Sequence, residues 1–148
     1  MGAILQHLPA DFVLHPDADL DLAAKQLSAW ALPIGLLREV GPEVPIAKPL
    51  QEAHIPWELS DGLRVQFLDM TPAQLSVIVT AVMSFSSVSL GMLLAQDTID
   101  PEGAVAAVTV TALYAAARAR QGGDEQEAFV AETRQTIRRM LQYVRLSR

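Results

Sequence analysis

The second half of the chain alternates long apolar stretches with short polar joints, and each joint carries chemistry that starts or stops a helix. Thr71-Pro72-Ala73-Gln74 offers an N-cap hydroxyl, a proline at the first helical position and a glutamine three residues past the cap, a capping box. It predicts a helix from about Pro72 to Ala95. Asp100-Pro101-Glu102 repeats the device, with an acid facing the positive end of the helix dipole, and predicts a helix from Pro101 to about Arg120. Gly122-Gly123 supplies a left-handed stop, and Asp124 caps a last helix to about Leu146. There Phe129, Val130, Thr133, Ile137, Met140, Leu141 and Val144 keep the three- and four-residue spacing of one buried stripe. Arg134, Arg138, Arg139, Arg145 and Arg148 occupy the other face and the C-terminal end. Consecutive helices with joints this short are antiparallel neighbours.

The first half is less regular. Leu20, Ala24, Leu27 and Trp30 hold helical spacing behind Asp17 and Asp19, until Pro33 interrupts it. Ile34 to Val40 predicts a further turn or two, ended by Gly41-Pro42. Pro42, Pro45, Pro49 and Pro56 rule out a long helix between 41 and 60. Leu63-Arg64-Val65-Gln66-Phe67 alternates like a strand, but a lone strand has nothing to pair with, so a short helix is expected. The pattern as a whole predicts an all-α fold, a small helical bundle with a buried apolar central helix. It is expected as one domain over residues 1–148: an apolar arm (1–15), a helical segment (16–40), an irregular Pro-rich link (41–60) and a helical core (61–148).

Met70 to Gln96 contains no charged residue, and Leu75 to Ala95 has the length and hydropathy of a membrane span. Its flanks count against that reading, because Asp69 precedes it, and Asp97, Asp100 and Glu102 follow. No Lys or Arg sets an orientation, and no Trp or Tyr marks an interface. Ser84, Ser86, Ser87 and Ser89 place four hydroxyls in its middle. A core helix is expected, with a membrane-associated protein as the alternative. Small residues there suit close helix packing, and the other reading is a polar groove for a ligand.

Composition narrows the chemistry. The 148 residues are 51% hydrophobic and 19% charged, with a mean hydropathy of +0.25, too apolar for disorder. The absence of cysteine excludes disulfides, thiolate catalysis and Cys-ligated metals. Three histidines, His7, His15 and His54, make a His-rich metal site an unpromising reading, and neither His15 nor His54 has a nucleophile or orienting acid at motif spacing. Asp17-Ala18-Asp19-Leu20-Asp21 opens like a calcium loop, but Leu22 and Ser28 stand where that loop needs glycine and glutamate. No nucleophile elbow and no phosphate-binding loop occurs. No catalytic residue, cofactor or metal is therefore expected. The start of the chain lacks the basic region of a signal peptide, and a cytoplasmic location is expected.

The net charge of −6 argues against nucleic acid as a partner. That charge is uneven: residues 1–104 hold 13 acids against four bases, whereas residues 105–148 hold four acids against seven arginines. Two candidate partner-binding features follow. Arg134, Arg138 and Arg145 form a face that either docks an acidic partner or is simply solvated. His54-Ile55-Pro56-Trp57 sets an aromatic among prolines, where Trp57 either anchors a partner or folds onto the chain's own core.

Taken in order from Leu20 onward, several of these features resemble the C-terminal helical domain of the F-type ATP synthase assembly chaperones that hold the α subunit. Gln26-x-x-x-Trp30-x-x-Pro33-Ile34-x-Leu36 resembles that family's first helix of the domain. Gly41-Pro42-Glu43-Val44-Pro45-Ile46 stands where its members run into an extended link. Ser84-Phe85-Ser86-Ser87-Val88-Ser89-Leu90-Gly91 is similar to its Ser/Gly-rich central helix. Ile99-Asp100-Pro101-Glu102 and Gly122-Gly123-Asp124-Glu125 match its two acidic turns. The resemblance covers about 125 residues and leaves out the family's largely β N-terminal domain. Where members carry an acidic stretch with a functionally important Glu, this chain has Ala112 to Arg118, and the position falls near Tyr114. The resemblance implies an all-α fold and a non-enzymatic, assembly-chaperone-like or adaptor-like protein-binding module whose partner is an ATP synthase subunit. The alternative is a homo-oligomeric structural module, a homodimer for instance.

Overall fold

The hydrophobic spacing of the C-terminal half is realised as helices that pack on their neighbours along the chain. The computed structural model describes residues 2–41, 43–48, 51–119 and 123–148. Among these residues there are eight α-helices and no strand: α1 Gly2–Leu5, α2 Leu20–Ala29, α3 Ala31–Val40, α4 Trp57–Leu68, α5 Pro72–Phe85, α6 Val88–Ala95, α7 Pro101–Arg118 and α8 Asp124–Leu146. The all-α expectation holds.

The uncharged stretch does not form one helix. It breaks at Ser86, whose φ of 57° is left-handed, and restarts at Ser87, whose hydroxyl caps α6 by accepting from the Leu90 N–H at 3.0 Å. The predicted Pro72–Ala95 helix is thus two, folded into an antiparallel hairpin. Gln74 Nε2 donates to the Ala95 carbonyl at 3.3 Å. Gly91 lies so close to Ile78 and Ala81 that a Cβ there would sit 3.0 Å from each. No described helix is long and apolar enough to cross a membrane. The buried central helix is α6, all eight residues of which are buried, packed among α3, α5 and α8.

The capping box at Thr71 and the Asp100 cap form as the sequence predicts. Thr133, Ile137, Met140, Leu141 and Val144 are the buried stripe of α8, while Phe129 stays exposed at the rim. Asp124 is the first residue of α8 rather than its cap, which is Gly123 at φ 91°; Gly122 lies outside the described residues. α7 ends at Arg118.

Two local expectations of the first half are corrected. Pro33 falls in the first turn of α3, where a proline costs no hydrogen bond, so the helix starts at Ala31 instead of after the proline. The irregular link ends at Pro56, and α4 starts at Trp57, burying Leu59, Leu63 and Phe67 at four-residue spacing. Pro42 and Pro49 lie outside the described residues. Gly62 lets α4 approach α3, since a Cβ there would meet Val40 Cγ1 at 2.7 Å.

The arm is held by a buried acid. Asp11 is inaccessible to solvent, and its carboxylate accepts from Ser87 Oγ (2.9 Å), Ser89 N (2.8 Å) and Val13 N (3.2 Å). Burial pushes its carboxyl up, while the Ser89, Ser87 and Val13 donors pull the other way. Ser87 and Ser89 thus serve the turn and the arm, so the serine cluster is a packing device.

Candidate protein-docking surface

The arginine face of α8 is largely engaged within the chain. Arg134 lays its guanidinium on Glu102, with Nε to Oε1 at 2.8 Å and Nη2 to Oε2 at 3.1 Å, tying α8 to the first turn of α7. Arg138 stands 3.7 Å from the same carboxylate. Arg145 forks onto Asp97 at 2.9 and 3.0 Å, and Arg148 reaches Asp97 at 3.0 Å. These contacts hold the Asp97 and Glu102 carboxyls below the ordinary carboxylate range and push Arg145 and Arg134 up, the hydrogen bond being the main cause in each case.

The shape of the turn explains why Asp97 is available. The chain leaves α6 through a Schellman motif, with Thr98 N donating to the Leu93 carbonyl (3.0 Å) and Asp97 N to the Leu94 carbonyl (3.2 Å). Asp97 occupies the left-handed position at φ 55°, where glycine is usual. Its side chain faces the last turn of α8. Of the three arginines expected to be exposed, Arg138 and Arg145 are, and Arg134 is half-buried against Glu102.

The residues that carry the family resemblance tie α2 to α7. Gln26 is buried; its Oε1 accepts from the Asp17 N–H at 2.7 Å, and its Nε2 donates to Thr111 Oγ1 at 2.9 Å. Trp30 is 2% exposed, donates Nε1–H to the Ala107 carbonyl at 2.9 Å and meets Phe12 edge-on. Tyr114 directs its hydroxyl at the Asp19 carboxylate, 3.4 Å away, with Arg118 Nη1 3.3 Å from that hydroxyl. Beside this corner, Ala29, Ala106, Val110, Leu113 and Tyr114 line an apolar groove of about 380 Å3. Asp17 and Asp19 are occupied as the helix-start acids the sequence suggested, accepting backbone N–H groups of Asp19, Asp21 and Leu22.

Trp57 is the other candidate, and it points outward. It is 72% exposed at the first turn of α4, so it does not fold onto the core; Trp30 does. Trp57, Leu5, Ser60, Asp61 and Arg64 line a shallow groove of about 260 Å3 between α1 and α4. Asp61 and Arg64 form an ion pair within it. Further along α4, Val65 and Leu68 are also exposed. The structure does not unite the two sequence candidates: α4 packs on α3, whereas α8 packs on α5, α6 and α7. Val65 and Leu68 escaped sequence reasoning because the alternation of 63–67 leaves the facing of each side chain open until the helix is known.

Comparison with known proteins agrees with the fold. No protein-family model and no curated protein matches the chain. Among solved structures it is similar to Atp12 from Paracoccus denitrificans, with a TM-score of 0.82 and 21% identity over 99% of this chain. A variant of the same P. denitrificans protein with one Asp-to-Lys replacement matches with a TM-score of 0.74, again at 21% identity over 99% of this chain. The chain spans 64% of the length of Atp12 in the first structure and 63% in the second. The helical fold that the sequence resemblance implied is therefore the fold observed.

Proposed function

We propose that this chain is a non-enzymatic protein-binding module of the assembly-chaperone kind, and that its client is a subunit of the F-type ATP synthase. The observation that carries this reading is the agreement of the whole chain with the fold of Atp12. The sequence resemblance supplies the client, since the family it points to holds the α subunit.

The distribution of polar and apolar groups supports binding over catalysis. Among the described residues no buried side-chain polar atom lacks a partner, so the interior hydrogen bonds serve the fold itself. The surface, in contrast, leaves Leu20, Trp57, Leu68, Met83 and Leu146 well exposed. A chaperone that shields an unassembled subunit must cover apolar surface reversibly, and exposed apolar side chains on a rigid helical frame suit that task.

The test is direct mixing of the purified chain with purified α subunit. The reading predicts a complex of defined mass and slower light-scattering growth of the α subunit on warming. Separate elution of the two proteins with unchanged aggregation would contradict it.

A further inference from the structure

We infer that the outward face of α4 is the docking site for an amphipathic helix bearing a cation at each end. The face is built from Trp57, Val65 and Leu68, which are 72%, 54% and 65% exposed. At 100° per residue these three positions fall within one arc, opposite the buried Leu59, Leu63 and Phe67. The Asp61–Arg64 ion pair stands between Trp57 and the Val65/Leu68 end. Beside Trp57, Leu5 of α1 closes a shallow groove with Ser60, Asp61 and Arg64.

Charge selects the occupant. Glu58 stands beside Trp57, and Asp69 follows Leu68; both are exposed, and neither has a basic partner among the described residues. The third acid, Asp61, is already paired with Arg64. The two unpaired carboxylates flank one edge of the stripe, about 16 Å apart at the rise of an α-helix. A partner helix of about three turns laid along α4 would cover Trp57 and Leu68 with its apolar face and set a Lys or Arg against each acid. An acidic or neutral segment would leave both carboxylates beside a desolvated interface without compensation. The net negative face also disfavours an anionic membrane as the occupant. Trp57, at one end of the stripe, gives the large, rigid contact area from which hot spots are made.

This site rests on the protein-binding reading above, and the experiment separates the two. The probe is a synthetic amphipathic helix with leucines on one face and a lysine near each end about 16 Å apart; a second peptide carries glutamates in place of the lysines. Trp57 reports binding through its emission, because Trp30 is already buried. The basic-ended peptide should shift that emission to the blue, bind more weakly as salt rises, and bind about tenfold or more tighter than the acidic-ended one. Read by titration calorimetry, since the emission reporter is lost, Trp57→Ala with Leu68→Ala should abolish peptide binding without lowering the Tm. Glu58→Gln with Asp69→Asn should weaken the basic-ended peptide several-fold and remove most of its salt dependence.

Equal binding of both peptides, or no binding of either, would overturn the proposal. So would a stronger blue shift with phosphatidylglycerol vesicles than with the peptide. Undiminished capture of the α subunit by the Trp57/Leu68 variant would remove this face while leaving the chaperone reading intact. Peptide binding without any α-subunit capture would uphold the face and sink the chaperone reading.

Discussion

α8 and α4 both bring reactive-looking surface to the outside, and they use it in opposite ways. α8 carries the arginines, yet Arg134, Arg145 and Arg148 reach carboxylates at hydrogen-bond distance and Arg138 stands near one, all on the turn before α7 or its first helical turn. α4 carries fewer charges and leaves Trp57, Val65 and Leu68 without an internal partner. A run of cations on a helix is therefore no guide to a docking face until the acids it meets are known. An exposed tryptophan is a better one, because water is a poor environment for that much apolar area.

The frame behind both faces depends on buried groups, and breaking it should give the largest effect. Asp11→Ala strips the acceptor from Ser87 Oγ and from two buried N–H groups. It should lower stability by about 2–4 kcal/mol, read as a loss of denaturation midpoint. Asp11→Asn, which keeps one acceptor, should lose less.

On the faces themselves the variants should dissociate. Trp57→Ala with Leu68→Ala should weaken α-subunit binding by about tenfold or more while the Tm holds, because both side chains are already in water. Arg134→Gln with Arg145→Gln should do the reverse. Binding should hold and the Tm should fall by a modest amount, since each change removes a two-point contact between α8 and the α6–α7 turn or the start of α7. Arg138→Gln, exposed and 3.7 Å from Glu102 without a hydrogen bond to it, should change neither measurement.

Acid offers a finer test of the clamps. Asp97 and Glu102 titrate below their ordinary values of 3.8 and 4.5, so their stabilisation is complete above those values and is lost as pH falls through the depressed ones. The Tm gap between wild type and Asp97→Asn/Glu102→Gln should therefore hold from about pH 7 down to 4.5 and close only in stronger acid, as the depressed carboxyls protonate. A gap that persists in acid would show that the clamps are not ionic. Asp11 works in the opposite direction, because burial raises its carboxyl and favours the protonated form in the fold.

The parts of the fold legible in the sequence were those specified locally. The Thr71 and Asp100 caps and the α8 stripe need only neighbouring residues, and all appear in the structure. The break at Ser86–Ser87 was not legible. It contains neither glycine nor proline, and the left-handed Ser86 is held from afar, by Phe12 N–H on the Ser86 carbonyl and by Asp11 on Ser87 and Ser89. The start of α4 was missed for a different reason, since four prolines argue against a long helix but do not say where a helix can begin after them. The arginine partners were hidden too: Glu102 and Asp97 precede Arg134 and Arg145 by 32 and 48 positions, and only the folded α7–α8 pair brings them together. Replacing Gly91 with Val would test the hairpin, because the added Cβ meets Ala81 and the Ile78 backbone at 3.0 Å. A loss of about 1–3 kcal/mol is expected from that crowding.

The most direct test compares α-subunit affinity in two variants by titration calorimetry, well below both melting temperatures. Trp57→Ala/Leu68→Ala should bind about tenfold or more weakly than wild type, and Arg134→Gln/Arg145→Gln should match wild type within about twofold. The opposite pattern, with affinity lost in the arginine variant and kept in the tryptophan variant, would contradict the assignment of α8 to the fold and of α4 to the partner.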